Sequence, residues 1–584
     1  MKILIWALTI VCNISIAYSQ AFDFEVAWST YFGDESISLS DSAMDSQGNF
    51  YFVGSLKASS IFAPTAGSFQ PIYGGGEYDG FLVKMSPQGD VVLATYFGGE
   101  ESEGISGIVI DNDDKIYIAG STSSTTGIAT PNSYQPVKDG ISDIFIARFS
   151  SAGIREWATY YPDVNASSPN LAVGNYFYHG FDIVADNLGN IYFFNRTANA
   201  NAATPDTFQM DIGQPTNNII TKFTTEGARV WATYYGINFS NIYSIAIGND
   251  GLYVAGTNLD CPPTGSYNTY FSTIGSHQSE PGNCKDVFVS KFSLDGNRLW
   301  STYYGNSYQE YLVRSALLVD GDFLYFSGIS RGQTNITTPG SYQEDSEIEL
   351  TPYLVRFNSM GERQWGTYIG LNHILDNNGL PYAMLDQDSM GNIYMFGLTR
   401  FGDNISTPTA FQPEKNALND TYLAIFNPNG ELKYGTYFGG SGEEYGSRPI
   451  VSGNTVYLFG QTSSTLGITT PGSFQPNYIE NATGNYDRSI FITKIQPVPL
   501  GVNDIPIPQI SIYPNPNNGN FRVNTSHSTI QTVAIYNVLG QRVYEIFPKK
   551  NTQEINMGNL ETGLYFIVVT LENNIKKTLK ILVK

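Results

Sequence analysis

Short apolar runs separated by Asp, Asn and Gly recur along this chain. In the first, "AMDSQGNFYFVGS" (Ala43 to Ser55), two β-favouring segments flank a polar turn, and Asp, Gly and Asn supply the positive φ angles that a tight hairpin needs. Six later segments repeat the pattern: "IVIDNDDKIYIAGS", "IVADNLGNIYFFN", "IAIGNDGLYVAGT", "LLVDGDFLYFSGI", "MLDQDSMGNIYMFGL" and "IVSGNTVYLFGQ". We predict a strand pair, a and b, in each of the seven segments.

Two further strands follow each pair in a constant order. Strand c lies in "DGFLVKMSPQGD" and in six counterparts, of which the last is "RSIFITKI". Strand d carries a hexapeptide such as "WSTYYG" that occurs seven times, starting at Trp28, Leu93, Trp157, Trp231, Trp300, Trp365 and Tyr434, 64 to 74 residues apart. Repeats of this length with four short antiparallel strands are typical of β-propeller blades.

The b-to-c connections are longer than the other turns and contain a recurring segment of their own. It reads "PTAGSFQP" at Pro64, and similar segments begin at Ala129, Ala203, Thr337, Ser406 and Thr469. In the fourth repeat we take "CPPTGSYN", from Cys261, as the counterpart. In a propeller the b-to-c and d-to-a loops open on the same face, so these loops are expected to share one rim.

The two ends of the repeat region complement each other. The hexapeptide at Trp28 is a strand d with no a, b or c before it, and the last strands a, b and c end at Ile495 with no d after them. We predict that the N-terminal strand closes the last blade, which makes an all-β, seven-bladed propeller without a long unpaired edge. The apolar residue at the head of strand d is expected to pack between neighbouring blades.

Segments such as "KFSLDGNRLWSTYYG" and "PTAGSFQ" resemble the SBBP β-propeller repeats of exported bacterial proteins, over residues 27–496. That resemblance implies a propeller and no particular activity. After a proline-spaced linker, "ISIYPNPNNGNFRV", "VAIYNVLGQRV" and "LETGLYFIVV" resemble the type A C-terminal sorting domain of the type IX secretion system. This second resemblance implies export to the outer-membrane surface or the medium and handling by the type IX machinery. Short strands over about 75 residues suit a small immunoglobulin-like sandwich.

The first residues predict a secretory signal peptide. Lys2 precedes an apolar run that ends in small residues at Ala17 and Ser19, and the run is shorter than the ~20 residues that a membrane anchor needs. We therefore divide the chain into a signal peptide (1–19), a seven-bladed propeller (20–497), a linker (498–508) and a sorting domain (509–584). No transmembrane segment is expected after cleavage of the signal peptide.

Composition supports an all-β fold, and the charge distribution argues against nucleic acid as a partner. Aromatic residues make up 14% of the 584 residues, with 58 Gly, which is a β composition. Residues 20–502 carry 48 acidic and 22 basic side chains, whereas the region from Asn503 onward carries 5 and 8. The acidic region would repel nucleic-acid phosphates, so we expect no nucleic-acid partner.

Few residues indicate catalysis or metal binding. The histidines His179, His277, His373 and His527 do not recur at matching repeat positions, and no G-x-S-x-G, H-E-x-x-H or P-loop motif occurs. We predict no catalytic residue, no cofactor and no metal site, although "DNDDK" at Asp111 leaves a calcium site open. Cys261 and Cys284, an even pair in an exported chain, predict one disulfide, with a zinc site as the alternative.

The predicted rim offers the best candidate site. Its acidic residues are Glu100, Glu101, Glu103, Glu443 and Glu444, and its aromatic residues include Phe69, Tyr134 and Phe474. Acidic groups beside aromatic rings suit carbohydrate, calcium or basic protein surfaces, unless the rings pack inward and hold their loops. We predict an exported binding or scaffold module for a surface glycan or protein, with an extracellular enzyme acting on polysaccharide or glycan as the alternative.

Overall fold

The computed structural model describes residues 22–498 and 510–584, apart from 163–180, 238–239, 260–267, 283–284, 307, 313, 333–334, 347–349, 371–382, 400–404, 418, 481–487, 526–528, 559 and 572–575. Two compact units divide the chain, Met1–Val498 and Pro499–Lys584. Every regular element in the described residues is a β-strand, and none of these residues belongs to a helix that could cross a membrane. The predicted signal peptide, Cys261 and Cys284 lie outside the described residues.

The described part of the first unit contains seven antiparallel sheets. The chain begins with β1 (Phe24–Phe32), which joins the last of them. The first sheet contains β2 (Ile37–Met44), β3 (Phe50–Leu56), β4 (Asp79–Met85) and β5 (Val91–Phe97), and the second contains β6 (Glu103–Ile110), β7 (Ile116–Thr122), β8 (Asp143–Phe149) and β9 (Arg155–Tyr161). The third contains β10 (Ile183–Ala185), β11 (Ile191–Thr197), β12 (Asn217–Phe223) and β13 (Arg229–Tyr234), and the fourth β14 (Ser240–Gly248), β15 (Gly251–Asn258), β16 (Asp286–Phe292) and β17 (Arg298–Tyr304).

The remaining three sheets keep the predicted strand order a, b, c, d. The fifth contains β18 (Glu310–Tyr311), β19 (Leu317–Asp320), β20 (Phe323–Ser330), β21 (Thr351–Asn358) and β22 (Arg363–Tyr368), and the sixth β23 (Ala383–Gln387), β24 (Ile393–Thr399), β25 (Asp420–Phe426) and β26 (Leu432–Phe438). The seventh contains β27 (Glu444–Gly446), β28 (Ile450–Ser452), β29 (Thr455–Thr462) and β30 (Ser489–Pro497). In the fifth and seventh sheets strand a is divided into two short strands.

The two ends of the first unit meet in the seventh sheet. β1 pairs antiparallel with β30, so that Thr30 lies opposite Ile492 and Tyr31 opposite Phe491. The predicted pairing of the N-terminal strand with the last strand c is therefore present. The a strands contact one another in a cyclic order, from β2 to β6, β10, β14, β19, β23 and β28 and back to β2. The first unit is thus a β-propeller, in which sheets surround a common axis.

The tryptophans of strand d pack between neighbouring sheets, as predicted. Nε1 of Trp300 donates a hydrogen bond of 2.9 Å to the carbonyl of Ser359, in the c-to-d turn of the next sheet. In that turn Gly361 has a φ of +84°, and a Cβ there would lie 2.9 Å from the indole. Glycine is required at this position for two reasons: the turn has a positive φ, and the indole ring leaves no room for a Cβ. Trp231 and Gly296 repeat the contact between the third and fourth sheets.

The second unit contains two sheets that share one core. The first is formed by β31 (Ile510–Tyr513), β32 (Asn520–Thr525) and β35 (Thr552–Asn556), and the second by β33 (Ile530–Asn537), β34 (Arg542–Ile546), β36 (Gly563–Leu571) and β37 (Lys576–Val583). Phe521 and Val523 of the first sheet and Ile535, Ile567 and Val569 of the second are buried together. Alternating apolar residues along β36 supply one inward face.

Candidate functional site

The b-to-c loops lie along the outer strand of each sheet. In the first sheet the amide of Thr65 donates to the carbonyl of Ala94 (2.9 Å), and the amide of Gln70 donates to Oγ1 of Thr95 (2.8 Å). Oε1 of Gln70 accepts from the amide of Gly98, the last residue of the hexapeptide (3.0 Å). The same bonds recur in other sheets, so the loops are fixed and cover the sheet edges.

The aromatic residues of these loops pack between sheets. The Phe69 ring lies 6.3 Å from Phe97 of its own sheet and 5.4 Å from Phe149 of the next, with the Arg155 guanidinium 4.7 Å from its centre. Tyr134 makes the equivalent contacts with Tyr161, Phe223 and Arg229. Phe474 stacks on Phe32. Phe69 thus packs inward and holds its loop, whereas Tyr134 and Phe474, 40% and 54% exposed, also keep part of their rings on the surface.

His277 occupies the aromatic position of the fourth loop. Thr273 bonds to Ser301 and Gln278 to Thr302 just as Thr65 and Gln70 bond in the first sheet, so "STIGSHQS", and not "CPPTGSYN", is the fourth counterpart. Histidine itself does not recur at this position, as predicted, but His277 stands where the other loops carry phenylalanine or tyrosine. Burial, assisted by Arg363, lowers the pKa of His277 to about 4. The ring is neutral at physiological pH and replaces phenylalanine.

Two of the predicted rim glutamates are buried and do not face solvent. Glu103 is 0% exposed and accepts hydrogen bonds from Oγ1 of Thr122 (2.6 Å) and the amide of Gly99 (2.6 Å). Glu444 is equally buried and accepts from Oγ1 of Thr462 (2.6 Å). Both residues begin a strand a and turn inward to cap the preceding d-to-a turn, which corrects their assignment to a ligand rim.

The other three glutamates of the predicted rim reach solvent. Glu100 is exposed and accepts hydrogen bonds from Thr125 and Thr126. Slight burial opposes ionisation, but these hydrogen bonds lower the pKa of Glu100 to about 2. Glu101 is exposed and Glu443 is half-buried.

A buried carboxyl pair lies beneath the d-to-a turn at three sheet junctions. The pairs are Asp79 with Glu103, Asp286 with Glu310, and Asp420 with Glu444, facing Gly98, Gly305 and Gly439 of the hexapeptides. A Cβ on Gly98 would lie 2.4 Å from Oδ1 of Asp79 and 2.7 Å from Oε2 of Glu103. The carboxyl groups explain why these hexapeptides end in glycine.

These pairs hold protons at neutral pH. Burial, with Glu103 nearby, raises the pKa of Asp79 to about 7, and burial, with Asp420 nearby, raises the pKa of Glu444 to about 7. Burial and the adjacent Asp286 raise the pKa of Glu310 well above its ordinary value. Two carboxyl groups this close cannot both ionise at low cost.

An ion pair crosses the axis of the propeller. Nη2 of Arg314, between β18 and β19, lies 3.0 Å from Oδ2 of Asp41 in β2. The two residues belong to sheets that are not neighbours in the cyclic order. Burial raises the pKa of Asp182 to about 6, although Arg314 opposes the shift. Charged side chains of the protein itself thus meet near the axis at this level.

Asp111, the candidate calcium ligand, serves its own turn. Oδ1 accepts from the amides of Asp113 and Lys115 (both 2.9 Å), and Oδ2 accepts from the Tyr117 hydroxyl (3.1 Å). Asp45 makes the same bonds in the first sheet. In the described part of the chain no three His, Cys, Asp or Glu side chains are grouped to hold a metal ion. His179, His373 and His527 lie outside that part.

Cation–tyrosine contacts lie on the loop face, and the sequence analysis missed the two that follow. In the seventh sheet, on the side of the sixth, Arg488 lies 3.9 Å from the ring centre of Tyr445. Between the fourth and fifth, Nζ of Lys285 lies 3.7 Å from the ring centre of Tyr311. The signal was the repeat register, which aligns Tyr311 with Tyr445 one residue after the buried glutamates.

Comparison with known proteins identifies the second unit. Residues 511–584 match the family described as secretion system C-terminal sorting domain. The second unit is therefore a sorting domain. It directs the protein through type IX secretion to the cell surface or the medium, as predicted.

Parts of the chain are similar to parts of several other proteins. The chain is 31% identical over 303 residues to ulvan lyase NLR42 of Nonlabens ulvanivorans, covering 51% of this chain and 47% of that protein. It is 20% identical over 256 residues to an endo-acting ulvan lyase of Formosa agariphila, covering 43% and 42%. The chain thus spans about half the length of the curated relatives it matches.

Solved structures with a similar outline include polysaccharide lyase Uly1, at 9% identity and a TM-score of 0.36, covering 80% of this chain and 90% of that one. Another is the β-propeller domain of the Trilobed protease from Pyrococcus furiosus, at 11% identity and a TM-score of 0.35, covering 73% and 91%.

Proposed function

We propose that this protein is a seven-bladed β-propeller, followed by a small immunoglobulin-like sorting domain, that binds polysaccharide outside the cell. Seven sheets, the cyclic contacts of their a strands and the place of β1 in the seventh sheet support the blade number. A disulfide between Cys261 and Cys284 would fit the oxidising conditions met during export.

The observation that carries the proposal is the loop face. It is rigid, because each b-to-c loop is hydrogen-bonded along a strand d. It presents Glu100, Glu101 and Glu443 together with charged groups over Tyr311 and Tyr445. Preformed surfaces that combine aromatic rings with charged and hydrogen-bonding groups suit saccharides.

The names of the curated relatives favour polysaccharide over protein as the ligand, because two of them are ulvan lyases. They also favour a second function, a polysaccharide lyase. Lys285 beside Arg331 and Tyr311 offers a basic group with a lowered pKa and a guanidinium, the residue types that can remove a proton and neutralise a uronate.

A polysaccharide array tests the proposal with the full secreted chain. We expect saturable binding to one class of acidic polysaccharide that persists at physiological salt, and the absence of all such binding would overturn the proposal. Repeating the array with EDTA tests for calcium dependence. Ultraviolet absorbance from unsaturated products would favour the lyase, and binding to surface proteins alone would favour a protein ligand.

A further inference from the structure

Two cations lie over one tyrosine between the fourth and fifth sheets. Lys285 precedes β16, Tyr311 ends β18 and Arg331 follows β20. Nζ of Lys285 is 3.7 Å and Cζ of Arg331 is 5.8 Å from the ring centre of Tyr311. Burial, together with Arg331, lowers the pKa of Lys285 to about 8. Two like charges at a half-buried site repel each other unless an anion offsets them.

Among the described residues, no carboxylate pairs with either cation. Neither Lys285 nor Arg331 forms an ion pair with any of them, and the buried Nε of Arg331 has no hydrogen-bond partner there. Glu310 lies next to Tyr311, but its raised pKa keeps it protonated at neutral pH. The Tyr311 hydroxyl donates to the amide oxygen of Gln309 (2.7 Å), which carries no charge.

The junction between the sixth and seventh sheets also has a cation over the corresponding tyrosine, but from another repeat position and with its charge balanced. Asn419 and Ser463 stand there in place of Lys285 and Arg331. Arg488 lies over Tyr445, whose hydroxyl donates to Oε2 of Glu443 (3.0 Å). The same Oε2 lies 3.9 Å from Nη2 of Arg488. Glu443 and Gln309 occupy the same repeat position, one residue before Glu444 and Glu310. The fourth-to-fifth junction therefore has one more cation and lacks the carboxylate.

We propose that Lys285, Arg331 and Tyr311 form a binding site for an anionic group, a carboxylate or a sulfate ester, of a saccharide. The proposal deepens the proposed function, because it rests on polysaccharide as the carrier of that group. The guanidinium fork of Arg331 suits the paired oxygens of either group, and Lys285 adds a point charge. The propeller as a whole is acidic and repels free anions. The local positive charge is therefore expected to bind best an anionic group that belongs to a larger ligand with further contacts.

Substitution Gln309→Glu tests the site. It places a carboxylate at the position that Glu443 holds at the sister junction, with almost no change of shape. We expect the affinity of the full chain for polygalacturonate or dextran sulfate to fall at least tenfold and any affinity for neutral dextran to stay unchanged. Arg331→Gln should have the same effect without adding a charge. Lys433→Gln removes an exposed cation next to the c-to-d turn of the sixth sheet, away from the loop face, and is the control that should leave the affinity unchanged.

A second measurement separates this inference from the proposed function. Lys285 is labelled with an amine-reactive reagent near pH 8, and its labelling rate is measured by mass spectrometry with free galacturonate or sulfate. We expect either anion to slow labelling several-fold in the native chain but not in the Arg331→Gln variant. Slowed labelling without any polysaccharide binding would support the anion site and contradict the proposed function. Polysaccharide binding that survives Gln309→Glu and Arg331→Gln, with labelling unaffected by anions, would overturn the anion site alone.

Discussion

The fourth-to-fifth and sixth-to-seventh sheet junctions share the same buried layer, below the d-to-a turn, but differ in the exposed layer above it, on the loop face. Below, each holds a carboxyl pair against a hexapeptide glycine, Asp286 with Glu310 at Gly305 and Asp420 with Glu444 at Gly439. Above, one carries two cations that pair with no carboxylate of the described residues, and the other an arginine with its carboxylate. The two junctions thus agree in their buried residues and differ in their exposed residues. Packing constrains the first, whereas solvent tolerates variation in the second.

Two other junctions show what the buried layer requires. At the third-to-fourth junction a Cβ on Gly236 would meet Oδ1 of Asn217 (2.6 Å) and Oγ of Ser240 (2.5 Å), and at the seventh-to-first a Cβ on Gly33 would meet Ile37 (2.6 Å). Amide, hydroxyl and aliphatic groups therefore fill the same space as the acids. The position therefore accepts different fillers, and an acid pair fits there because its two carboxyl groups do not both ionise.

The largest expected effect comes from filling the space over a carboxyl pair. Gly305→Ala should lower the free energy of unfolding by about 3 kcal/mol, because the new Cβ would lie 2.5 Å from Oε2 of Glu310. Gly340→Ala is the control, since a Cβ there meets nothing within 4 Å and only its φ of +80° opposes the change, at about 1 kcal/mol. Denaturant unfolding measures both, and equal losses would contradict the steric account.

A smaller effect concerns pH. The folded pKa of Glu444 lies near 7 and that of Asp420 is also raised, so above pH ~4 the unfolded state loses protons that the folded state keeps. The stability from these protons is complete below pH ~4 and is lost as pH rises through about 7. We expect the melting temperature to fall between pH 5 and 8. In the double variant Asp420→Asn, Glu444→Gln this fall should be smaller, because on the order of 2 kcal/mol of pH-dependent unfolding free energy is removed.

The control for this slope is the neutral junction. Asn217→Asp introduces a buried acid there and should steepen the fall of melting temperature over the same pH range. A double variant at Asp420 and Glu444 that kept the full native slope would show that the pairs are ionised in the folded protein.

The smallest expected effect changes the exposed layer. Glu443→Gln removes the carboxylate from Arg488 and should lower stability by less than about 1 kcal/mol, because the pair is partly exposed. The same substitution makes this junction resemble the fourth-to-fifth one and should increase binding of polygalacturonate. Unchanged binding would mean that a single arginine over tyrosine is too weak, and that Lys285 and Arg331 act together.

Much of the fold could be predicted from the chain because the repeat is a local pattern. Turn glycines, apolar strands and the hexapeptide tryptophans act within one blade or on the next, so their spacing carries the information. The orphan strand at Trp28 even indicated the long-range pairing of β1 with β30. The candidate site was harder to predict from the sequence, because the direction of a side chain depends on the exact register of its strand. Glu103 was expected at the rim next to Glu100 and Glu101, but strand a begins at Glu103 and turns it inward.

By itself the amino-acid sequence determined the repeat, the strand order, the exported destination and the acidic character of the propeller, since each follows from composition or from short motifs. Tertiary structure alone decided which glutamates are buried, that His277 stands where other blades have phenylalanine or tyrosine, and that Lys285 meets Arg331 over Tyr311. These facts arise from contacts between residues of different strands, within a sheet or across a junction, and only packing brings such residues together.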